Sequence, residues 1–133
     1  MDSGAGRSIS VLLADDHTIM RDCLAELING QDGIEVVGLA VNGQEAVELA
    51  VKLGPDVILM DVSMPVKSGI DATQQICNLL PEIRIIGLTM HKDPDIRQAM
   101  LNAGACACLL KSGSPTELIK TIQQEYSDNL EPL

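Results

Sequence analysis

Four short apolar segments of this chain each end on polar residues that can bind a metal ion or a phosphoryl group. They are Ile9–Ala14 before Asp15 and Asp16, Val57–Met60 before Asp61, Ile83–Leu88 before Thr89, and Cys106–Leu110 before Lys111. Short apolar runs with polar boundaries are typical of buried strands in a parallel sheet. Such sheets bind ligands beyond the carboxyl ends of their strands. We therefore expect three carboxylates, one hydroxyl and one ammonium to meet at a single edge.

The carboxylates of the three aspartates are expected to repel one another at this edge. Two carboxylates about 5 Å apart repel each other by about 3 kcal/mol when the effective dielectric constant is about 20. Three aspartates therefore require a proton, a lysine or a metal ion beside them. Lys111 can offset one charge, and an all-oxygen ligand set favours Mg²⁺ or Mn²⁺ over softer ions. A simpler alternative is that Asp15 and Asp16 only cap the following helix, but it leaves Asp61 and Lys111 unexplained.

Strand and helix patterns alternate five times along the chain. A further apolar run, Ile34–Ala40, supplies the second strand, and apolar residues recur at helical spacing after each strand. Right-handed crossovers then require helices on both faces of the sheet. We predict an α/β fold, a doubly wound five-stranded parallel sheet of order 2-1-3-4-5 with five helices, as in flavodoxin-like proteins. This order places the first and third strands side by side, and with them Asp15, Asp16 and Asp61.

Polar residues mark where three of the helices begin. Asn42 is predicted to cap the second helix with Glu45 reaching back, Asp93–Pro94 to open the fourth, and Ser114–Glu117 to open the fifth. From Glu125 onward the sequence turns polar, and we expect the last helix to fray there.

Composition limits the classes of partner. The 133 residues, 46% of them hydrophobic, predict one folded domain. A formal net charge of −10 and a pI near 4.4 argue against DNA or an anionic membrane as a direct partner. Tyr126 is the only aromatic residue, so the chain offers no platform for stacking bases. No apolar run approaches the roughly 20 residues of a membrane span.

The four cysteines fall inside apolar patterns, and none forms a Cys-x-x-Cys pair. Cys23, Cys77, Cys106 and Cys108 are therefore predicted to be reduced, buried structural thiols. This use of cysteine indicates a reducing compartment.

From about Ser8 to Gln124 the chain closely resembles the receiver domains of bacterial two-component response regulators, and among them the NarL/FixJ subfamily. The resemblance rests on four motifs: Leu-Ala-Asp15-Asp16-His17, Leu-Met-Asp61-Val-Ser-Met-Pro65, Gly-Leu-Thr89-Met-His91 and Leu-Leu-Lys111. Their order along five strand–helix units makes the match specific.

The resemblance implies a role for each polar residue of the edge. Asp61 is the implied phosphoacceptor, taking its phosphoryl group from a phosphohistidine of a sensor histidine kinase without turning over as an enzyme does. Lys111 contacts the Asp61 carboxylate and then the phosphoryl group, and Thr89 shifts inward to bind it. The implied ligands of Mg²⁺, or of Mn²⁺ in its place, are Asp15, Asp16, Asp61 and the backbone carbonyl of Ser63.

The resemblance also implies where this domain works. It indicates a cytoplasmic protein without membrane contact that can form a homodimer on phosphorylation. DNA is expected to be bound only through a C-terminal helix-turn-helix domain outside this sequence. The expected boundaries are a disordered N-terminus at 1–7, the receiver at 8–125, and a tail or the start of a linker at 126–133.

Three positions depart from the common receiver pattern. Cys108 stands three residues before Lys111, where receivers usually carry Tyr or Phe, so the signal is expected to pass through Thr89 and smaller neighbours. Met90 follows Thr89 where many receivers have a small residue, although the NarL/FixJ-like subgroup accepts methionine. Ser112 replaces the usual proline after Lys111.

Other readings of single residues remain open. His17 is expected to be a polar residue at the start of a helix rather than part of the site. His91 is expected to lie near the mouth of the site.

Three alternative functions follow from the same residues. A phosphatase of the haloacid dehalogenase type would need a second aspartate two residues after Asp61, where Ser63 stands. A flavin or nucleotide binder would need a glycine-rich phosphate loop and stacking aromatics, which the sequence lacks. An unswitched receiver, read out by protein contacts alone, gains weight from Cys108.

Overall fold

Five strands and five helices alternate along the part of the chain that the structure describes. The computed structural model describes the backbone of residues 8–130 and the side chains of residues 8–123. In chain order the elements are β1 (Ile9–Ala14), α1 (Thr18–Asn29), β2 (Ile34–Ala40), α2 (Gly43–Leu53), β3 (Val57–Asp61), α3 (Gly69–Leu79), β4 (Arg84–Thr89), α4 (Pro94–Ala103), β5 (Ala107–Leu110) and α5 (Pro115–Leu130). The strands are parallel, in the order β2-β1-β3-β4-β5. The predicted α/β fold and strand order are confirmed.

The element ends differ from the sequence prediction by a residue at several places. Asp61 and Thr89 are the last residues of β3 and β4, because Asp61 pairs with Leu88 and Thr89 pairs with Leu110 of β5. Helix α5 continues through Glu125, where we expected fraying, to Leu130. The predicted disordered segment 1–7 and the last three residues of the predicted tail lie outside the described residues.

The sheet is buried on both faces, as a parallel sheet requires. Alternate residues of β1 illustrate this, since Leu12 belongs to one core cluster and Val11 to the other. Helices α2, α3 and α4 cover the first face, and α1 and α5 cover the second. Both clusters consist of aliphatic side chains, methionines and one cysteine, and Met60 and Met64 are buried among them. Among the described helices, none combines the length and hydropathy that crossing a membrane requires.

The predicted helix caps are present. Asn42 Oδ1 accepts a hydrogen bond from the Glu45 amide at 2.8 Å, while the Glu45 carboxylate reaches back to the amide of Val41. The side chain of Asp93 caps α4, with Pro94 in the first turn. Two further caps complete the set: Ser114 accepts from Glu117, and Ser68, which the sequence prediction missed, accepts from Asp71.

The prediction that all four cysteines are buried is wrong for two of them. Cys108 is buried, but Cys23 and Cys106 are exposed and Cys77 is half-buried. The stripe of α1 that packs on the sheet passes through Leu24, Ala25 and Ile28, which turns Cys23 outward. Cys106 precedes β5, whose first residue is Ala107.

Strand β2 contains one residue more than its partner. The register between β1 and β2 shifts after Val11, which pairs with Val36, so that Leu12 pairs with Gly38 and Val37 has no partner in β1. This is the pattern of a β-bulge, which increases the local twist of the strand that carries it.

The loop between β3 and α3 fits closely against its surroundings because two of its neighbours are glycines. A Cβ atom built on Gly69 would overlap the carbonyl oxygen of Asp61, and one built on Gly43 would overlap that of Lys67. The amide of Gly69 also donates to the carbonyl of Val62 at 2.9 Å. The start of α3 thus touches the backbone of Asp61 directly.

We predict that Gly69→Ala lowers the free energy of unfolding by about 2 kcal/mol, because the added methyl group must displace backbone atoms. Urea unfolding followed by circular dichroism measures the change. Gly30→Ala is the matched control, since Gly30 has a φ of −75° and a Cβ there would meet its nearest atom at 3.4 Å. Equal losses in the two variants would contradict the close approach at Gly69.

Candidate functional site

The carboxyl ends of the strands bring two aspartates and a lysine into direct contact. Asp15 follows β1, Asp61 ends the adjacent β3, and Lys111 follows β5. The Lys111 ammonium lies 2.9 Å from Asp15 Oδ2 and 3.2 Å from Asp61 Oδ2. All three side chains are almost completely buried, with exposed fractions of 3% or less. The Lys111 amide donates to the carbonyl of Thr89 at 2.8 Å, which fixes the lysine backbone beside β4.

Asp15 is held by its own loop. Its Oδ1 atom accepts a hydrogen bond from the His17 amide at 2.9 Å, in the manner of an Asx-turn. Its Oδ2 atom is buried and accepts no hydrogen bond of standard geometry from the described residues, although it forms the ion pair with Lys111. This oxygen therefore keeps unused acceptor capacity directed at the site.

The pKa values of the two buried carboxylates are shifted in opposite directions from the usual value of an aspartate. Burial, reinforced by the nearby charge of Asp15, raises the pKa of Asp61 to about 6, although Lys111 opposes the rise. Burial would also raise the pKa of Asp15, but the hydrogen bond from the His17 amide and the neighbouring Lys111 ammonium outweigh it and leave that pKa lowered. Asp15 is thus the fixed anion of the pair, and Asp61 is the more basic carboxylate.

Asp16 and His17 complete a cluster at the open side of this pair. Asp15, Asp16, His17 and Asp61 each place one ligand atom within 4.8 Å of the others. Carboxylate oxygens are the ligands that Mg²⁺ and Mn²⁺ prefer, and Asp16 is partly open to solvent, as an ion with bound waters needs. The unused acceptor capacity of Asp15 Oδ2 adds a reason for a cation there. The residues fit a divalent ion.

His17 belongs to the site, which corrects the expectation that it would be only a polar residue at a helix start. It does occupy the N-cap position of α1, but its side chain forms no capping hydrogen bond. Its Nδ1 atom lies 3.1 Å from Asp15 Oδ1 and 3.2 Å from Lys111 Nζ. The structure also excludes the reading of Asp15 and Asp16 as caps of α1, since neither is its N-cap residue.

Thr89 and Ser63 lie at the border of the cluster. The Thr89 hydroxyl is within 3.4 Å of both the amide and the carbonyl of His91, and no hydrogen bond among the described residues joins it to the cluster. The Ser63 amide donates to Asp61 Oδ1 at 3.3 Å. Sequence reasoning thus placed Thr89 on the correct strand end, while its hydroxyl is bonded to its own loop.

Cys108 and Thr89 line one cavity beside β4 and β5. The cavity has a volume of about 740 Å³, and Arg97 of α4 and Glu117 of α5 form part of its wall. The Cys108 thiol is buried in the core cluster that includes Met100. Burial raises the pKa of this thiol, against a smaller opposite effect of Arg97. A small side chain therefore lies where the resemblance leads one to expect an aromatic ring.

A second, apolar cleft opens directly beside the acidic cluster. Its lining residues are His17, Ile19, Met20, Cys23, Met90 and Lys111. Ile19 is 79% exposed and Met90 is 52% exposed, which is unusual for large apolar side chains that are close together. The site thus has a charged floor and an apolar rim.

Sequence comparisons identify relatives of this chain. The sequence profile described as "Response regulator receiver domain" matches residues 11–123, which include every residue of the acidic cluster. Transcriptional regulatory protein LiaR of Bacillus subtilis (strain 168) is 46% identical over 115 residues, 86% of this chain and 54% of that protein. Response regulator UvrY of Escherichia coli (strain K12) is 37% identical over 119 residues, 90% of this chain and 55% of that protein. The chain spans about half the length of these curated relatives.

Solved structures of response regulators also resemble this chain. A two-component response regulator of the LuxR family from Aurantimonas sp. SI85-9A1 superimposes with a TM-score of 0.87 and 32% identity, covering 91% of this chain and 86% of that one. The response regulator domain of Thermotoga maritima CheB has a TM-score of 0.86 and 35% identity, covering 95% and 100%.

The raised pKa of Asp61 predicts that Asp61→Asn stabilises the metal-free protein. Because the folded pKa of about 6 exceeds the unfolded value, the ionised form of Asp61 costs stability as the pH rises through 6. We expect Asn to raise the free energy of unfolding by about 2 kcal/mol near pH 8, and the gain to shrink toward about pH 5. Urea unfolding in the presence of a metal chelator measures both values. The exposed Glu82→Gln serves as the control, and a gain that grows on acidification would contradict the assignment.

Proposed function

The chain belongs to the response regulator receiver domains, in the NarL/FixJ-like group, and we propose that Asp61 is its phosphoacceptor. The observation that carries the proposal is the contact of a buried, unusually basic carboxylate with a buried ammonium at the carboxyl edge of the sheet. A phosphohistidine of a sensor histidine kinase is the proposed donor. An oxygen of Asp61 forms the bond to phosphorus while the bond from phosphorus to the histidine nitrogen breaks, and the imidazole leaves with that electron pair.

Asp61 is the better nucleophile of the two buried carboxylates. With a pKa of about 6 it is ionised at neutral pH and still more basic than an ordinary aspartate. Asp15 has a lowered pKa, and its Oδ1 atom accepts a hydrogen bond from the His17 amide. The two residues therefore take different roles, with Asp15 as fixed anion and Asp61 as the reacting group.

Lys111 orients the Asp61 carboxylate and balances charge. Its ammonium bonds Asp61 Oδ2 at 3.2 Å, while Oδ1 accepts a longer hydrogen bond from the Ser63 amide at 3.3 Å. An ammonium has three donors and can keep the carboxylate while it also pairs with an incoming phosphoryl oxygen. Thr89 lies at the end of the neighbouring strand. Its hydroxyl can donate to the phosphoryl group once it no longer bonds the backbone of His91.

A divalent cation, Mg²⁺ or Mn²⁺, is proposed to be held by Asp15, Asp16, Asp61 and the carbonyl of Ser63. When bound, it supplies positive charge for the equatorial oxygens of the phosphoryl group in transfer. The side chains prepare this role by leaving acceptor capacity on Asp15 Oδ2 and by keeping Asp16 open to solvent.

The surface around the site supports a protein partner. The apolar rim formed by Ile19, Met20 and Met90 fits a protein that lies over the acidic floor while it delivers the phosphoryl group. With a net charge of −10, this domain is not the DNA-binding part. We propose that the whole protein acts in the cytoplasm as a transcriptional regulator that binds DNA through another domain and can dimerise on phosphorylation.

We predict that incubation with acetyl phosphate and Mg²⁺ adds one phosphoryl group to the intact chain, measured by mass spectrometry. The added mass should be absent in Asp61→Asn, because the nucleophile is removed, and present in Asp32→Asn, which changes an exposed aspartate elsewhere. Lys111→Met should reduce the phosphorylated fraction at least about tenfold, since the ammonium stabilises the transferring group.

Two results would overturn the proposal. The first is an unmodified wild-type mass, and the second is a phosphoryl group retained in Asp61→Asn. Repeated turnover of a phosphomonoester would instead favour the phosphatase alternative, for which the chain lacks an acid at Ser63.

The unswitched receiver is the second candidate, and Cys108 is the observation that favours it. A thiol buried in the core cannot swing as an exposed ring can, so any switch must use Thr89 and the cavity beside it. If the domain switches, beryllofluoride should change its oligomeric state or its amide spectrum near Thr89, and Thr89→Ala should abolish that change. Identical spectra with and without beryllofluoride, in a protein that accepts a phosphoryl group, would favour the unswitched reading.

A further inference from the structure

We propose that His17 is a direct nitrogen ligand of the divalent ion in this site, and that it shifts the preference of the site from Mg²⁺ toward Mn²⁺ and Co²⁺. The inference rests on the proposed function, because it concerns the ion that serves Asp61. It adds an imidazole nitrogen to a ligand set that otherwise consists of oxygen atoms.

The distances around His17 Nδ1 are those between ligands of one ion. Nδ1 lies 3.1 Å from Asp15 Oδ1, 3.4 Å from Asp16 Oδ1 and 3.8 Å from Asp61 Oδ2. Ligands that bind one ion at about 2.1 Å lie about 3 Å apart when adjacent and about 4 Å apart when opposite. The imidazole nitrogen therefore occupies the position of a ligand toward all three carboxylates.

The backbone holds His17 in this place. Its amide donates to Asp15 Oδ1, so the loop that fixes one acidic ligand also fixes the histidine. Its backbone is extended, with φ of −89° and ψ of 103°, at the N-cap of α1. A side chain at that position normally accepts from the first amides of the helix, whereas the imidazole of His17 is free of such a bond and faces the acids.

Lys111 shows that a cation is accepted beside this nitrogen. Its ammonium lies 3.2 Å from His17 Nδ1, 2.9 Å from Asp15 Oδ2 and 3.2 Å from Asp61 Oδ2. An ammonium carries only donors, so the groups around it act as acceptors.

A nitrogen ligand changes which ion binds best. Mg²⁺ prefers oxygen ligands and gives up its waters reluctantly, whereas imidazole suits the later first-row ions. Among divalent ions affinity rises from Mn²⁺ to Co²⁺, and a nitrogen donor steepens that order. His17 is 59% exposed, so the ring can join or leave the ion without disturbing the core.

The test compares the two histidines of the chain. Wild type, His17→Asn and His91→Asn are titrated with Mg²⁺, Mn²⁺ and Co²⁺ by calorimetry, and folding is checked by thermal unfolding. We expect the ratio of the Mg²⁺ to the Mn²⁺ dissociation constant to fall about tenfold in His17→Asn and to stay unchanged in His91→Asn. The visible spectrum of bound Co²⁺ should also change only in His17→Asn.

A measurement on the wild type alone keeps the test independent of any variant. Substoichiometric Mn²⁺ should broaden the ring signals of His17 in proton spectra well before those of His91. Equal broadening, or an unchanged ratio of dissociation constants in His17→Asn, would overturn the role of His17. Phosphorylation of Asp61 in that same protein would show that the proposed function stands without it.

Discussion

The buried ion pair between Lys111 and the two aspartates is the interaction on which the site depends. Asp15 and Asp61 have both lost their hydration, and an isolated buried carboxylate costs several kcal/mol. The ammonium offsets this cost for both at once, at 2.9 and 3.2 Å. Lys111 follows β5, and its backbone amide donates to the carbonyl of Thr89 at the end of β4. Through its side chain and its backbone amide, this one residue ties together the ends of four strands.

The residues at this edge carry an excess of negative charge. Three aspartates and one lysine leave two negative charges, which is the charge that one divalent cation neutralises. The folded chain carries this excess because the parallel strands fix the backbone positions of Asp15 and Asp61 independently of their repulsion. Helix caps and the packing of apolar helix faces elsewhere in the domain stabilise the fold and offset this electrostatic cost.

The sequence was sufficient for the fold and for the floor of the site. Strand ends, strand order and the caps at Asn42 and Asp93 follow from local patterns, because parallel strands and helix starts impose simple rules. The directions of individual side chains did not follow. His17 faces the acids beside Asp15, and Cys23 faces solvent because α1 packs on the sheet through Leu24, Ala25 and Ile28; both directions depend on contacts between elements. The close fit of Gly69 against Asp61 likewise involves two elements at once.

The bulge in β2 has a consequence for how two copies of this domain can meet. An edge strand offers unpaired amides and carbonyls to any neighbouring strand, but the extra residue Val37 twists β2 out of the flat form that such pairing needs. The other edge, β5, is only four residues long. Both edges are therefore poor templates for strand addition between the sheets of two molecules. The fold therefore favours assembly through side chains on its helices and loops, where single substitutions can strengthen, weaken or redirect it.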